Sequence, residues 1–135
     1  MNTRSDMRQL FLDAWQKRQT PDALSALEQQ VLTVIAAHKE YDSIFDEPDI
    51  LDKDYRTDNN PFLHMSLHLG VIEQLTTNRP QGIRELYQTS YKKLHDEHVV
   101  QHVFMEVMAE VIYDAQQKGV LPDEAVYLER IKKLF

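Results

Sequence analysis

The stretch PFLHMSLHLGVIEQL, residues 61–75, carries two histidines inside an otherwise apolar helical pattern. Asn60-Pro61 opens it with a capping side chain followed by proline, which is a typical helix start. Rotation by about 100° per residue places His64 and His68 about 40° apart, within the apolar arc. The stretch therefore predicts a helix with two inward-facing imidazoles, and Asn78-Arg79-Pro80 predicts its end.

Similar start and stop signals divide the rest of the chain into helices. Capping residues, prolines and apolar periodicity predict further helices from Ser5-Asp6 to about 19, from Thr20-Pro21-Asp22 to about 39, at 82–94, at 96–118 and from 122 to the end. No segment alternates like a strand. The sequence predicts an all-α fold, a compact bundle of five or six helices in a single helical domain covering residues 1–135.

Composition excludes several classes of function. The chain has 22 acidic and 15 basic residues and a net charge of -7, the wrong sign for binding nucleic acid or an anionic membrane surface. It has no cysteine, which excludes thiolate metal sites and thiol nucleophiles, and its three glycines form no phosphate-binding loop. Because no apolar run resembles a signal peptide or a membrane span, we expect a cytoplasmic protein.

The six histidines are confined to three predicted helices or their ends. His38 continues the apolar spacing of the second helix, and His98, His102 and Glu106 follow one another at four-residue steps on the helix at 96–118. Side chains four residues apart share a helical face and can bind one ion. The 96–118 group is the more ambiguous one, because a polar arc is usually the solvated face of an amphipathic helix.

Lysine and arginine are absent from residues 19–38, 57–78 and 94–117, which carry all the histidines. A divalent ion is repelled by nearby cations, so this absence favours a metal site. The predicted ligands are His64, His68, His98 and His102, with Glu106 as a carboxylate ligand or base and His38 as an additional ligand. Nitrogen and carboxylate donors suit Fe, Zn, Mn, Co or Ni, with one or two ions per chain. No catalytic residue and no reaction follow from the sequence.

The alternative is a non-enzymatic helical interaction module, in which the histidines form a buried hydrogen-bonded cluster. Residues 42–58 hold seven acidic side chains against Lys53 and Arg56, which is typical of a solvated loop that faces a protein partner. A homodimer is also open. A calcium loop is disfavoured, because DILDKDYRTDNN has no mid-loop glycine and no glutamate at its twelfth position.

Two histidine segments also carry a family resemblance. NPFLHMSLHLGVIEQL with the following NRPQGI, and the later EHVVQHVFMEVMAEVIYDAQ, resemble the domain-of-unknown-function family 1841. The likeness covers nearly the whole chain and implies a small bacterial cytoplasmic protein. It implies no activity, cofactor or catalytic residue, so the metal hypothesis rests on the residues alone.

Overall fold

The computed structural model describes residues 4–55 and 60–135. Its α-helices are α1 (Arg4–Gln16), α2 (Ala26–Ala36), α3 (Pro61–Thr77), α4 (Ile83–Leu94), α5 (Glu97–Lys118) and α6 (Glu124–Leu134). Two 3-10 segments, Pro21–Ala23 and Lys39–Asp46, lie between them. No strand occurs in these described ranges, so the prediction of an all-α fold is confirmed. The predicted count of five or six helices is met only when the 3-10 segments are left out.

The chain forms two compact units, residues 1–69 and 70–135, and the boundary falls inside α3. The single domain covering residues 1–135 stays a prediction. Within the described part of the chain, no helix is long and apolar enough to cross a membrane.

The start of α2 differs from the prediction. Thr20-Pro21 begins only the 3-10 turn Pro21–Ala23, after which Leu24 is extended. Ser25 is the true N-cap: its hydroxyl accepts a hydrogen bond from the Glu28 backbone, and the Glu28 carboxylate accepts one from the Ser25 backbone. This reciprocal capping box satisfies two helix-terminal N–H groups at once, which a lone proline cannot do. The helix also ends at Ala36, earlier than the predicted residue 39.

The segment after α2 is predicted as a solvated acidic loop, but several of its residues belong to the core of the first unit. Ile44, Phe45 and Ile50 are buried, and the Arg8 guanidinium donates to the carbonyl oxygens of Ile50 at 3.2 Å and Lys53 at 2.7 Å. Charged side chains therefore alternate here with core residues of the first unit. A protein partner at residues 42–58 stays a prediction, and Asp58 lies outside the described residues.

The second unit follows its predicted boundaries closely. His95 ends α4 in the left-handed region, and the Asp96 side chain caps α5 by accepting from the Val99 backbone, so the helices predicted at 82–94 and 96–118 are separate. Gly119 ends α5 in the left-handed region, as predicted. The last helix begins at Glu124, after the cap Asp123, and so starts two residues later than predicted.

Candidate functional site

His38 lies just beyond the end of α2 and is only 1% exposed. Its Nδ1 atom lies 2.8 Å from the carbonyl oxygen of Val34, which also accepts a hydrogen bond of 3.2 Å from the backbone N–H of Ala37. Because a carbonyl only accepts, Nδ1 must carry a proton. In the neutral imidazole the Nε2 atom then carries the lone pair, with which an imidazole binds a metal or accepts a hydrogen bond.

His64 approaches that lone pair from α3. The two Nε2 atoms are 3.0 Å apart, and the ring centroids are 4.7 Å apart at an interplanar angle of 78°. With His38 as the acceptor, His64 Nε2–H is the donor of this hydrogen bond. The sequence places His64 inward, and the structure shows it half-buried.

His68 lies one helical turn further along α3 and is 2% exposed, so its predicted inward position is confirmed. Its ring centroid is 5.1 Å from that of His38, with the rings nearly perpendicular at 89°. The four-residue spacing of His64 and His68 thus brings both imidazoles close to the ring of His38. His38, predicted as an additional ligand, is the centre of this group.

The imidazoles of His64 and His68 both lie against the ring of His38, within the first unit. Nitrogen ligands of a tetrahedral zinc ion, with bonds of about 2.0–2.1 Å, are about 3.3 Å apart. The 3.0 Å between the Nε2 atoms of His38 and His64 is close to that spacing. Three nitrogen ligands also leave at least one coordination position for a further ligand.

The remaining predicted ligands lie on α5, in the second unit. His98 is exposed, and its ring centroid is 4.0 Å from that of the half-buried His102. Glu106 is exposed, one helical turn after His102, and His95 is exposed at the end of α4. The α5 residues therefore differ in exposure: His102 is partly covered, while His98 and Glu106 face solvent, as the ambiguous polar arc suggested.

Comparison with known proteins identifies a family. The profile of a domain of unknown function, DUF1841, matches residues 3–133. The chain belongs to the DUF1841 family. No curated protein and no solved structure matches it. Family membership confirms the resemblance carried by the two histidine segments, but it brings no activity to this member, so function must be argued from the site.

Sequence reasoning about this DUF1841 member missed Tyr41. Its ring lies parallel to that of His38, with centroids 5.8 Å apart at an interplanar angle of 8°, and 6.0 Å from that of His64. Burial, with a smaller contribution from the charge of Glu40, raises the pKa of the Tyr41 phenol, which therefore stays neutral. The available signal is its position three residues after His38, in a stretch where the sequence shows no helical periodicity.

Proposed function

We propose that this protein binds a transition-metal ion, one of Fe, Zn, Mn, Co or Ni, through His38, His64 and His68. The observation that carries the proposal is the packing of the His64 and His68 rings against the ring of His38, with centroids 4.7 and 5.1 Å away. Two of the three side chains, His38 and His68, are nearly fully buried. Neutral imidazole is the form that binds metal.

The hydrogen bond from His38 Nδ1 to the Val34 carbonyl supports this assignment. Histidines that bind metals usually donate their second ring nitrogen to a carbonyl or carboxylate, which fixes the ring and makes the free nitrogen a better ligand. A set of nitrogen donors suits borderline transition metals, whereas calcium and magnesium require oxygen ligands. The absence of lysine and arginine from residues 19–38, 57–78 and 94–117 removes competing positive charge.

His64 binds the ion through Nε2 only after losing the proton that it donates to His38. The predicted ligands on α5, namely His98, His102 and Glu106, stay predictions. No reaction is assigned to the site.

Elemental analysis of tag-free protein tests the proposal. The protein is produced with each of the five metals and purified both aerobically and anaerobically. We expect about one ion per chain in the wild type, and a reduction of about ten-fold or more in His68→Ala. His95→Ala is the matched control, because His95 is exposed and is not a predicted ligand, so this variant should keep its metal. Wild-type protein without stoichiometric metal under every condition would overturn the proposal.

A second candidate function rests on the 3.0 Å approach of the His38 and His64 Nε2 atoms. That distance equally fits a metal-free hydrogen-bonded cluster inside a helical interaction module. In that case a pulldown or a homodimer would survive His68→Ala and fail after Asp46, Glu47 and Asp49 are neutralised together. Loss of the complex in His68→Ala with retention in the neutralised variant would exclude this candidate.

A further inference from the structure

A cavity of about 220 Å³ lies within residues 70–135, in a part of the molecule that the metal proposal does not use. The end of α3, the middle of α5 and the start of α6 surround it. Its wall is mostly apolar and includes Pro80, Met108, Val111 and Ile112. Ligand pockets for drug-sized molecules usually begin at about 300 Å³, so this cavity suits a smaller molecule.

Two polar side chains, Gln74 and Tyr127, also line the cavity. The Tyr127 hydroxyl donates a hydrogen bond of 2.8 Å to Gln74 Oε1, although Tyr127 is only 4% exposed. The Gln74 amide nitrogen, in turn, lies 3.5 Å from the sulfur of Met108. A thioether is a weak acceptor, so Gln74 Nε2 keeps donor capacity and the Tyr127 oxygen keeps lone pairs.

The charges around this cavity are of both signs. Arg79 contributes a guanidinium, and Asp123 and Glu124 contribute carboxylates. The Asp123 carboxylate already accepts hydrogen bonds from the backbone of Ala125 and Val126, where it caps α6. A charged ligand would meet a like charge here and would lose hydration on entering an apolar cavity, so the lining favours an uncharged ligand.

We propose that this cavity binds a small, uncharged and largely apolar molecule that carries one hydroxyl group. The ligand hydroxyl oxygen accepts a hydrogen bond from Gln74 Nε2, and its proton is donated to the Tyr127 oxygen. The apolar body contacts Met108, Val111 and Ile112. This pair of hydrogen bonds distinguishes a hydroxyl from a purely apolar group, which would leave the Gln74 donor unpaired.

Fluorine NMR titration of the full chain tests the proposal, with 4-fluorophenol as the probe and fluorobenzene as its analogue without a hydroxyl. We expect saturable binding of 4-fluorophenol with a Kd of about 1 mM or tighter, given the size of the probe. We expect binding of fluorobenzene to be about ten-fold weaker, since it cannot pair with Gln74. Tyr127→Phe removes the oxygen that accepts the ligand's proton and should reduce this preference for the hydroxyl.

Two further variants fix the location. Tyr113→Phe removes a hydroxyl from an exposed tyrosine on α5, a helix that lines the cavity, and should leave both affinities unchanged. Ile112→Trp should fill the cavity and block both probes, and because Ile112 is only half-buried this change is expected to leave the fold intact. Absence of saturation in the wild type, equal effects of the two tyrosine variants, or unchanged binding in folded Ile112→Trp would each overturn the proposal.

Discussion

The Nε2 atom of His38 lies 3.0 Å from the Nε2 atom of His64, while the other ring nitrogen of His38 donates to the Val34 carbonyl. His38 thus has two separate roles: Nδ1 satisfies the end of α2, and Nε2 presents a lone pair to the histidines of α3. The first role is structural and does not depend on a metal. The second role is common to both candidate functions, so the proton positions on these rings are the first quantity to measure.

In metal-free protein, His38 should be the tautomer protonated at Nδ1 and His64 the tautomer protonated at Nε2. The reason is that the Val34 carbonyl accepts only from a protonated Nδ1, which leaves His38 Nε2 as an acceptor. Long-range proton–nitrogen correlation spectra distinguish the two tautomers directly. A proton on His38 Nε2 would contradict the arrangement, and the exposed His95 provides an internal reference in the same spectrum.

His38→Ala should destabilise the protein even when metal is removed with a chelator. The change removes the 2.8 Å hydrogen bond to the Val34 carbonyl and creates a cavity in place of a side chain that is 1% exposed. We expect a loss of about 2–3 kcal/mol in the free energy of unfolding, measured by urea denaturation. His95→Ala, at an exposed position, should change it by less than about 0.5 kcal/mol. Equal effects of the two substitutions would contradict the structural role of His38.

The helices could be predicted from sequence because their caps are local. Asn60, Asp96, Gly119 and Asp123 act through neighbours within a few residues, and each lies at or next to a predicted boundary. The predicted start of α2 was wrong because two local start signals compete there. Thr20-Pro21 is followed closely by Ser25 and Glu28. The capping box prevails because it satisfies two N–H groups reciprocally, whereas proline only removes one donor.

The candidate site could be predicted only in part, because apolar periodicity shows only which face of its own helix a residue lies on. It placed His38 and His68 inward, and both are buried. It could not rank His38 above His64 or His98, since the central position of His38 depends on where the chain turns after α2. The same turn, the 3-10 segment Lys39–Asp46, places Tyr41 beside the histidines. A turn of this kind has no periodic apolar pattern by which the sequence could predict it.

Ser25→Ala should lower the free energy of unfolding by about 1 kcal/mol, because it removes the N-cap of α2. The prediction separates the observed start of α2 from the predicted one, since Thr20→Ala should have a much smaller effect. Urea denaturation of the two variants provides the measurement. A larger loss in Thr20→Ala than in Ser25→Ala would contradict the observed capping box.

Glu28→Gln should destabilise the protein at neutral pH but much less in acid. Hydrogen bonds from the Ser25 backbone and from Lys17 lower the pKa of the Glu28 carboxyl. The ionised form is therefore stabilised by folding, and its contribution is complete above the usual carboxyl pKa and lost as the pH falls through the folded value. The difference in stability between wild type and Glu28→Gln should shrink over that range. A difference in stability that does not change with pH would contradict this role of the ionised carboxylate.

Two glycine substitutions should have opposite effects. An alanine Cβ at Gly70, inside α3, would meet the Met108 methyl at 3.4 Å, an ordinary contact, so Gly70→Ala should stabilise the helix by about 0.5–1 kcal/mol. Gly119 has a φ of 67° at the end of α5, and Gly119→Ala should cost about 1 kcal/mol. Thermal unfolding measures both. A loss of stability in Gly70→Ala would show that Met108 cannot accommodate the methyl group.

His68 and His98 should respond differently to added metal. Metal that binds only the folded state raises its stability by about 2.7 kcal/mol at a free concentration of 100 times Kd. His68→Ala should abolish the metal-dependent rise in Tm, because the buried His68 ring packs against that of His38 in the proposed site. His98→Ala should leave most of the rise in place, since His98 is exposed on α5. Differential scanning fluorimetry with each metal, before and after chelation, measures both shifts. An intact rise in His68→Ala together with its loss in His98→Ala would assign the ion to α5 instead.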